Sequence, residues 1–131
     1  EIMAFIHTKE DVDLAIQKAT ELGLITFSQH QIFKETIAKI VNHEELIPFF
    51  DADAKVFNEQ NIIKKAFKNI KPDRVVVKDN MAYLLDYKTG EKHNKHKAQL
   101  EEYELALQEM KYTVAKKALI YIGESIEIVT L

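Results

Sequence analysis

Two aspartates and a lysine are spaced along this chain so that a single β-hairpin would bring them together. Asp73 follows Pro72, and twelve residues later comes Asp86-Tyr87-Lys88. Between the acids lie Val75-Val76-Val77, the pair Asp79-Asn80, and Met81-Ala82-Tyr83-Leu84-Leu85. With Asp79-Asn80 as a two-residue turn, pairing runs Lys78 to Met81 and Val77 to Ala82. That register sets Asp73 directly opposite Asp86. Opposed strand residues stand about 4.5–5.5 Å apart at Cβ, where like charges destabilise. At roughly 5 Å and an effective dielectric of about 20, the repulsion is on the order of 3 kcal/mol. Either one acid keeps its proton or a cation lies between them.

Side chains alternate along a strand, so Asp73, Val75 and Val77 share a face with Ala82, Leu84, Asp86 and Lys88. The hairpin then presents two carboxylates and one ammonium at its open end. The rest of that face is apolar and must pack against helices. The Tyr87 side chain points away, but its backbone carbonyl lies between the acids and offers a further oxygen. Such hard oxygen donors suit Mg²⁺ or Mn²⁺ rather than zinc. A lysine beside them can stabilise charge developing on a phosphate or polarise an attacking water. The chemistry this predicts is phosphodiester hydrolysis.

The elements that must position these groups are legible in outline. Thr8-Lys9-Glu10-Asp11 reads as a cap with acidic first-turn residues. Val12, Ala15, Ile16 and Ala19 recur at helical spacing, and Gly23 stops that helix. Ser28 is the expected cap of a second helix bearing Ile32, Phe33, Ile37, Ile40 and Val41. Residues 44–49 form a short helical turn interrupted by Pro48. Strands are expected over 56–63, 67–78 and 81–88. A helix follows over 95–110, with Leu100, Tyr103, Leu107 and Met110 inward, and strands over 118–122 and 125–131 finish the chain. The predicted class is α/β, in the order ααβββαββ.

Composition narrows the classes. At 131 residues and 47% hydrophobic, a single domain with its own core is expected, helical over 1–50 and mixed over 55–131. No run of about 18 apolar residues and no signal peptide is visible, so no membrane association is expected. The absence of cysteine excludes disulfides, thiolate zinc sites and iron–sulfur clusters, and fits a reducing, cytoplasmic setting. A net charge of −3 argues against nucleic-acid binding by bulk electrostatics, while leaving room for a metal-mediated phosphate site. The opening Glu1, within an apolar pattern, reads as the start of a fragment of a longer chain.

Pro72-Asp73 followed by Asp86-Tyr87-Lys88 resembles the signature of the PD-(D/E)xK nucleases. With Asp73-Arg74, Asp86-Tyr87-Lys88-Thr89-Gly90 and Gln99-Leu100-Glu101-Glu102-Tyr103, the pattern is closer still to the RecB-like nuclease domain of bacterial helicase–nucleases such as AddA. The resemblance runs from about Val56 to Leu131. It implies a restriction-endonuclease-like core, a central mixed sheet flanked by helices. It implies Asp73 and Asp86 as metal ligands with the Tyr87 carbonyl, Lys88 as the catalytic lysine, and Glu59 as a further catalytic acid. Gln99 and Tyr103, one helical turn apart, would contact DNA. The implied function is a Mg²⁺- or Mn²⁺-dependent deoxyribonuclease, part of an ATP-dependent helicase–exonuclease acting in double-strand-break repair and recombination. Its implied partners are DNA, a helicase motor in the same chain and a second helicase–nuclease subunit. The family's upstream histidine ligand has no counterpart here and is expected before Glu1.

Bland readings stand beside these. Taken singly, Asp73-Arg74 is a surface turn pair and Asp86 with Lys88 a solvated strand end; only the opposed register joins them. His93 and His96, among lysines, read as a solvated basic loop, and His7, His30 and His43 as structural or exposed. A catalytically inactive, DNA-binding remnant of the same fold is the alternative function.

Overall fold

The structure, a computed structural model, describes residues 2–58, 62–63, 69–70, 72–123 and 125–131. The chain divides into two compact units, Glu1–Ala52 and Asp53–Leu131. In the first, the Asp11 carboxylate accepts the amides of His7 and Thr8, both at 2.9 Å. This ties off the short 3-10 turn Lys9–Asp11 ahead of helix α1, Val12–Glu21. Val12, Ala15, Ile16 and Ala19 are buried, as their spacing predicts. Gly23 ends the helix at φ +76°, a left-handed conformation that costs little without a Cβ, and the Leu24 amide reaches back to the Ala19 carbonyl at 2.9 Å. Thr26, rather than Ser28, opens the next segment: a 3-10 turn, Phe27–Gln29, intervenes before helix α2, His30–Val41. Ile37, Ile40 and Val41 are buried, whereas Ile32 is 67% exposed, off the buried stripe. A 3-10 segment, Glu44–Phe50, contains Pro48 and buries Leu46, Phe49 and Phe50.

Among its described residues the second unit has a five-stranded sheet, a two-stranded one and one α-helix. The strands of the larger sheet are β1, Lys55–Asn58; β4, Arg74–Lys78; β5, Met81–Thr89; β6, Thr113–Ile122; and β7, Ile126–Thr130, in the spatial order β1-β4-β5-β6-β7. Two short strands, β2 (Ile62–Ile63) and β3 (Asn69–Ile70), pair only with each other. Neighbours in the large sheet are antiparallel except β5 and β6, which are parallel. A parallel pair needs a crossover, and helix α3, Asn94–Glu109, provides it. The fold is therefore α/β with a mixed sheet, as expected, but the order among the described residues is ααβββββαββ. Residues 56–63 and 67–78 were each expected as one strand. Instead β1 ends at Asn58 and Ile62–Ile63 joins a different ladder. Pro72, which has no amide to give a ladder, stands between β3 and β4.

The hairpin register is the expected one. Asp79 and Asn80 have φ values of 52° and 66°, both left-handed, which makes a type I′ turn whose twist matches the strands. Pairing then runs Lys78 with Met81, Val77 with Ala82, and on to Arg74 with Leu85. Val75, Ala82 and Leu84 pack against Leu100, Tyr103, Ala106 and Leu107 of α3 and Leu119 and Tyr121 of β6, so the expected apolar face is the core face. Arg74, Val76 and Leu85 alternate with them and are also buried, which explains the unbroken Val75-Val76-Val77 run. Met110, expected on the inner stripe of α3, is 48% exposed, because the helix stops at Glu109 and the backbone turns left-handed at Lys111, φ 73°.

Candidate active site

Continuing the hairpin by one pair beyond Arg74–Leu85 brings Asp73 opposite Asp86. Here the ladder changes character. The Asp73 amide donates to Asp86 Oδ1 at 3.2 Å, and the Tyr87 amide donates to Asp73 Oδ2 at 2.9 Å. Each carboxylate thus accepts an amide from the opposite strand, in place of the usual carbonyl. The two acids close the open end of the hairpin reciprocally. Asp86 is only 3% exposed. Burial pushes the Asp73 carboxyl up from 3.8 to about 6. The Tyr87 amide opposes this, while the charge of Asp86 and a side-chain hydrogen bond to it add to the rise.

Lys88 lies on the same face. Its Nζ donates to Asp86 Oδ2 at 2.6 Å and to Gln99 Oε1, also at 2.6 Å. Gln99 in turn donates through Nε2 to the Tyr103 hydroxyl at 2.8 Å. Burial, and after it the charges of Asp86 and Asp73, push the Tyr103 phenol up to about 12. The geometry is an unbroken chain from Asp73 through Asp86, Lys88 and Gln99 to Tyr103. Strand β5 places the acid and the lysine two residues apart on one face, and α3, crossing over to β6, places the amide and the phenol one turn apart above them.

The structure therefore gathers Asp73, Asp86, Lys88, Gln99 and Tyr103. Tyr87 reaches the acids through its amide, and an extended residue turns its carbonyl to the same strand edge as its amide. Glu59 lies outside the described residues. Among the described residues no group of three or more histidines or acids is gathered to hold a metal ion, so the acid pair has no imidazole beside it. His93 instead caps α3, accepting the Lys95 amide at 3.2 Å, and His43 does the same for Glu45. His96 bonds to the Tyr121 hydroxyl at 3.1 Å, and desolvation, then the charges of Lys88, Lys95 and His93, hold its imidazole below the usual range. Histidine is not a standard cap residue, so nothing in the sequence marked His43 or His93 for that role. No helix among the described residues is long and apolar enough to cross a membrane.

A family model described as L protein N-terminus, of viral type, matches residues 10–128. No curated protein matches the chain significantly. The match overturns the resemblance to the RecB- and AddA-like nuclease domain of the PD-(D/E)xK type, and with it the helicase, repair and recombination character drawn from that resemblance. The physical reason is that two acids and a lysine on a hairpin are a local arrangement, which does not specify what is built around it. The histidine expected before Glu1 rested on the same resemblance and loses its basis. With residues 10–128 of 131 matched, the chain belongs to the L protein N-terminus family.

Proposed function

We propose that the Asp73, Asp86 and Lys88 cluster hydrolyses nucleic-acid phosphodiester bonds with the help of a divalent cation, Mg²⁺ or Mn²⁺. The observation that carries this reading is the reciprocal clasp. Two carboxylates face each other, each pinned by an amide of the opposite strand, with an ammonium 2.6 Å from one of them. Near pH 7 Asp73 gives up its proton, and the negative charge it then places against Asp86 calls for a counter-charge beyond the single lysine.

The donor set fits such an ion. Asp73, Asp86 and the Tyr87 carbonyl are hard oxygens, and Mg²⁺ commonly keeps several waters beside one or two carboxylates. Bound there, the cation would lower the pKa of a water and neutralise phosphate charge. The protein's own groups do the rest. Lys88, held in a fixed position, donates to phosphate oxygen as negative charge builds there. The amides of Asp73 and Tyr87 keep the acids aimed, and the apolar face below keeps bulk water from one side. We read the β4–β5 hairpin with α3 and β6 as a restriction-endonuclease-like core, and the cytoplasm as the place of action, which the lack of cysteine suits. DNA is the proposed substrate. Chemistry at the phosphate is indifferent to the sugar, so RNA belongs in the same assay.

The test is cleavage of linear DNA and RNA by the 131-residue chain in Mg²⁺, Mn²⁺ or EDTA, with Lys88→Ala and Asp86→Ala alongside. Cation-dependent cleavage is expected, and a loss of roughly a hundredfold or more in each variant with folding intact. Undiminished cleavage by either folded variant refutes the assignment. Nucleic-acid binding without cleavage by the wild type favours an inactive binding domain instead.

A further inference from the structure

We propose that Gln99 is a positioning residue that keeps the Lys88 ammonium in the site when Asp86 is given over to a cation. This rests on the hydrolytic reading above. It begins from the polarity of one amide. A lysine ammonium only donates, so the Gln99 atom facing Lys88 must be the oxygen. Nε2 therefore faces Tyr103, whose oxygen accepts, at 2.8 Å. Tyr103 is 6% exposed and packs with Leu100 and Leu107, so the amide is fixed at its far end by the core. Both ends of Gln99 are thus engaged within the protein, which leaves the side chain a poor candidate for the direct DNA contact expected from the sequence.

Asp86 Oδ1 accepts the Asp73 amide and its Oδ2 faces Lys88. A cation arriving at this carboxylate competes with the ammonium for Oδ2. Lysine is a compact charge on a flexible four-carbon stem, and a lysine whose only acceptor is withdrawn swings away. Gln99 Oε1, at the same 2.6 Å, is a second acceptor already in place. Being neutral, it holds the ammonium without competing for the cation as a carboxylate would. Partners of this kind, one step removed from a metal ligand, typically govern cation affinity and activity.

The experiment is a double-mutant cycle on the 131-residue chain, comparing wild type, Gln99→Ala, Lys88→Met and the pair, with Gln99→Met as a volume-conserving second variant. Calorimetric titration of Mg²⁺ or Mn²⁺ without nucleic acid reads cation affinity, and kcat and KM for cleavage are read separately. For both Gln99 variants, cation affinity is expected to fall roughly tenfold and kcat to fall with KM unchanged. In the Lys88→Met background the Gln99 effect on affinity is expected to vanish. An effect that persists there, or one confined to KM, or none at all, overturns the proposal. A wild-type chain that binds no divalent cation overturns the hydrolytic reading itself and this inference with it, a result distinct from the others.

Discussion

The two aspartates differ in their surroundings although they face each other. Both accept a backbone amide from the opposite strand and both are shielded from water, but Asp86 has the Lys88 ammonium at 2.6 Å on its other oxygen. Burial, ahead of the charge of Asp86, makes Asp73 keep its proton to about pH 6, against 3.8 for an unperturbed carboxyl. The native state then binds more protons than the unfolded state between those values. Its contribution to stability is full below about pH 4, declines as pH rises to 6, and is constant above. Relative to Asp73→Asn, metal-free wild type is expected to lose about 2 kcal/mol across that interval, measured as the difference in denaturant stability at each pH. A difference that is flat from pH 4 to 7 would show that Asp73 is not desolvated beside Asp86 as described. Removing Asp86 instead takes away the counter-charge of the Lys88 ammonium, so Asp73→Asn is the substitution that relieves repulsion.

Among the elements, the hairpin was legible in the sequence because turn chemistry and alternation agree. Asp79-Asn80 admits two left-handed residues, and the register that this turn sets puts Val75, Ala82 and Leu84 on a common inner face. Helix α3 was legible too, through Leu100, Tyr103 and Leu107. Its link to Lys88 was not, because spacing shows that Gln99 and Tyr103 share a face but not how that face is rotated over the sheet. The end of β1 at Asn58 was less legible, because Ile62 and Ile63 resume an apolar pattern soon after it and nothing in their residue types shows that they join a different ladder. The resemblance misled for a related reason, since local residues report on chemistry and not on ancestry. At the end of α3, Lys111 takes the left-handed position that Gly23 takes after α1, and its carbonyl accepts the Asn80 side chain at 3.2 Å. The acceptor is backbone and survives substitution. Lys111→Gly is expected to raise stability by about 1 kcal/mol, seen as a higher urea midpoint with an unchanged slope. A lower midpoint would mean that the lysine side chain contributes more than its strained backbone costs.

For the molecule as a whole, charge decides how a polyanion is held. The chain carries −3 overall, while Lys92, Lys95 and Lys97 lie just past Lys88 in sequence. Such a surface offers a phosphate backbone few contacts without a cation. Oligonucleotide binding in EDTA is expected to be weak, with a log–log salt slope no steeper than about −2, as for three single-strand phosphate contacts. Calcium in place of EDTA is expected to tighten it. A slope near −5 in EDTA would reveal a basic footprint wider than this one. The sheet order adds a last consequence. Strand β5 is the third of five, paired along both edges, and it carries Asp86 and Lys88. Central strands open only with the global unfolding event, whereas edges fray on their own. Asp86 and Lys88 are therefore expected to ride on the part of this unit slowest to exchange its amides with water. On the hydrolytic reading, heat is expected to remove any cleavage activity and the sheet together, with no half-melted state that keeps Lys88 in place.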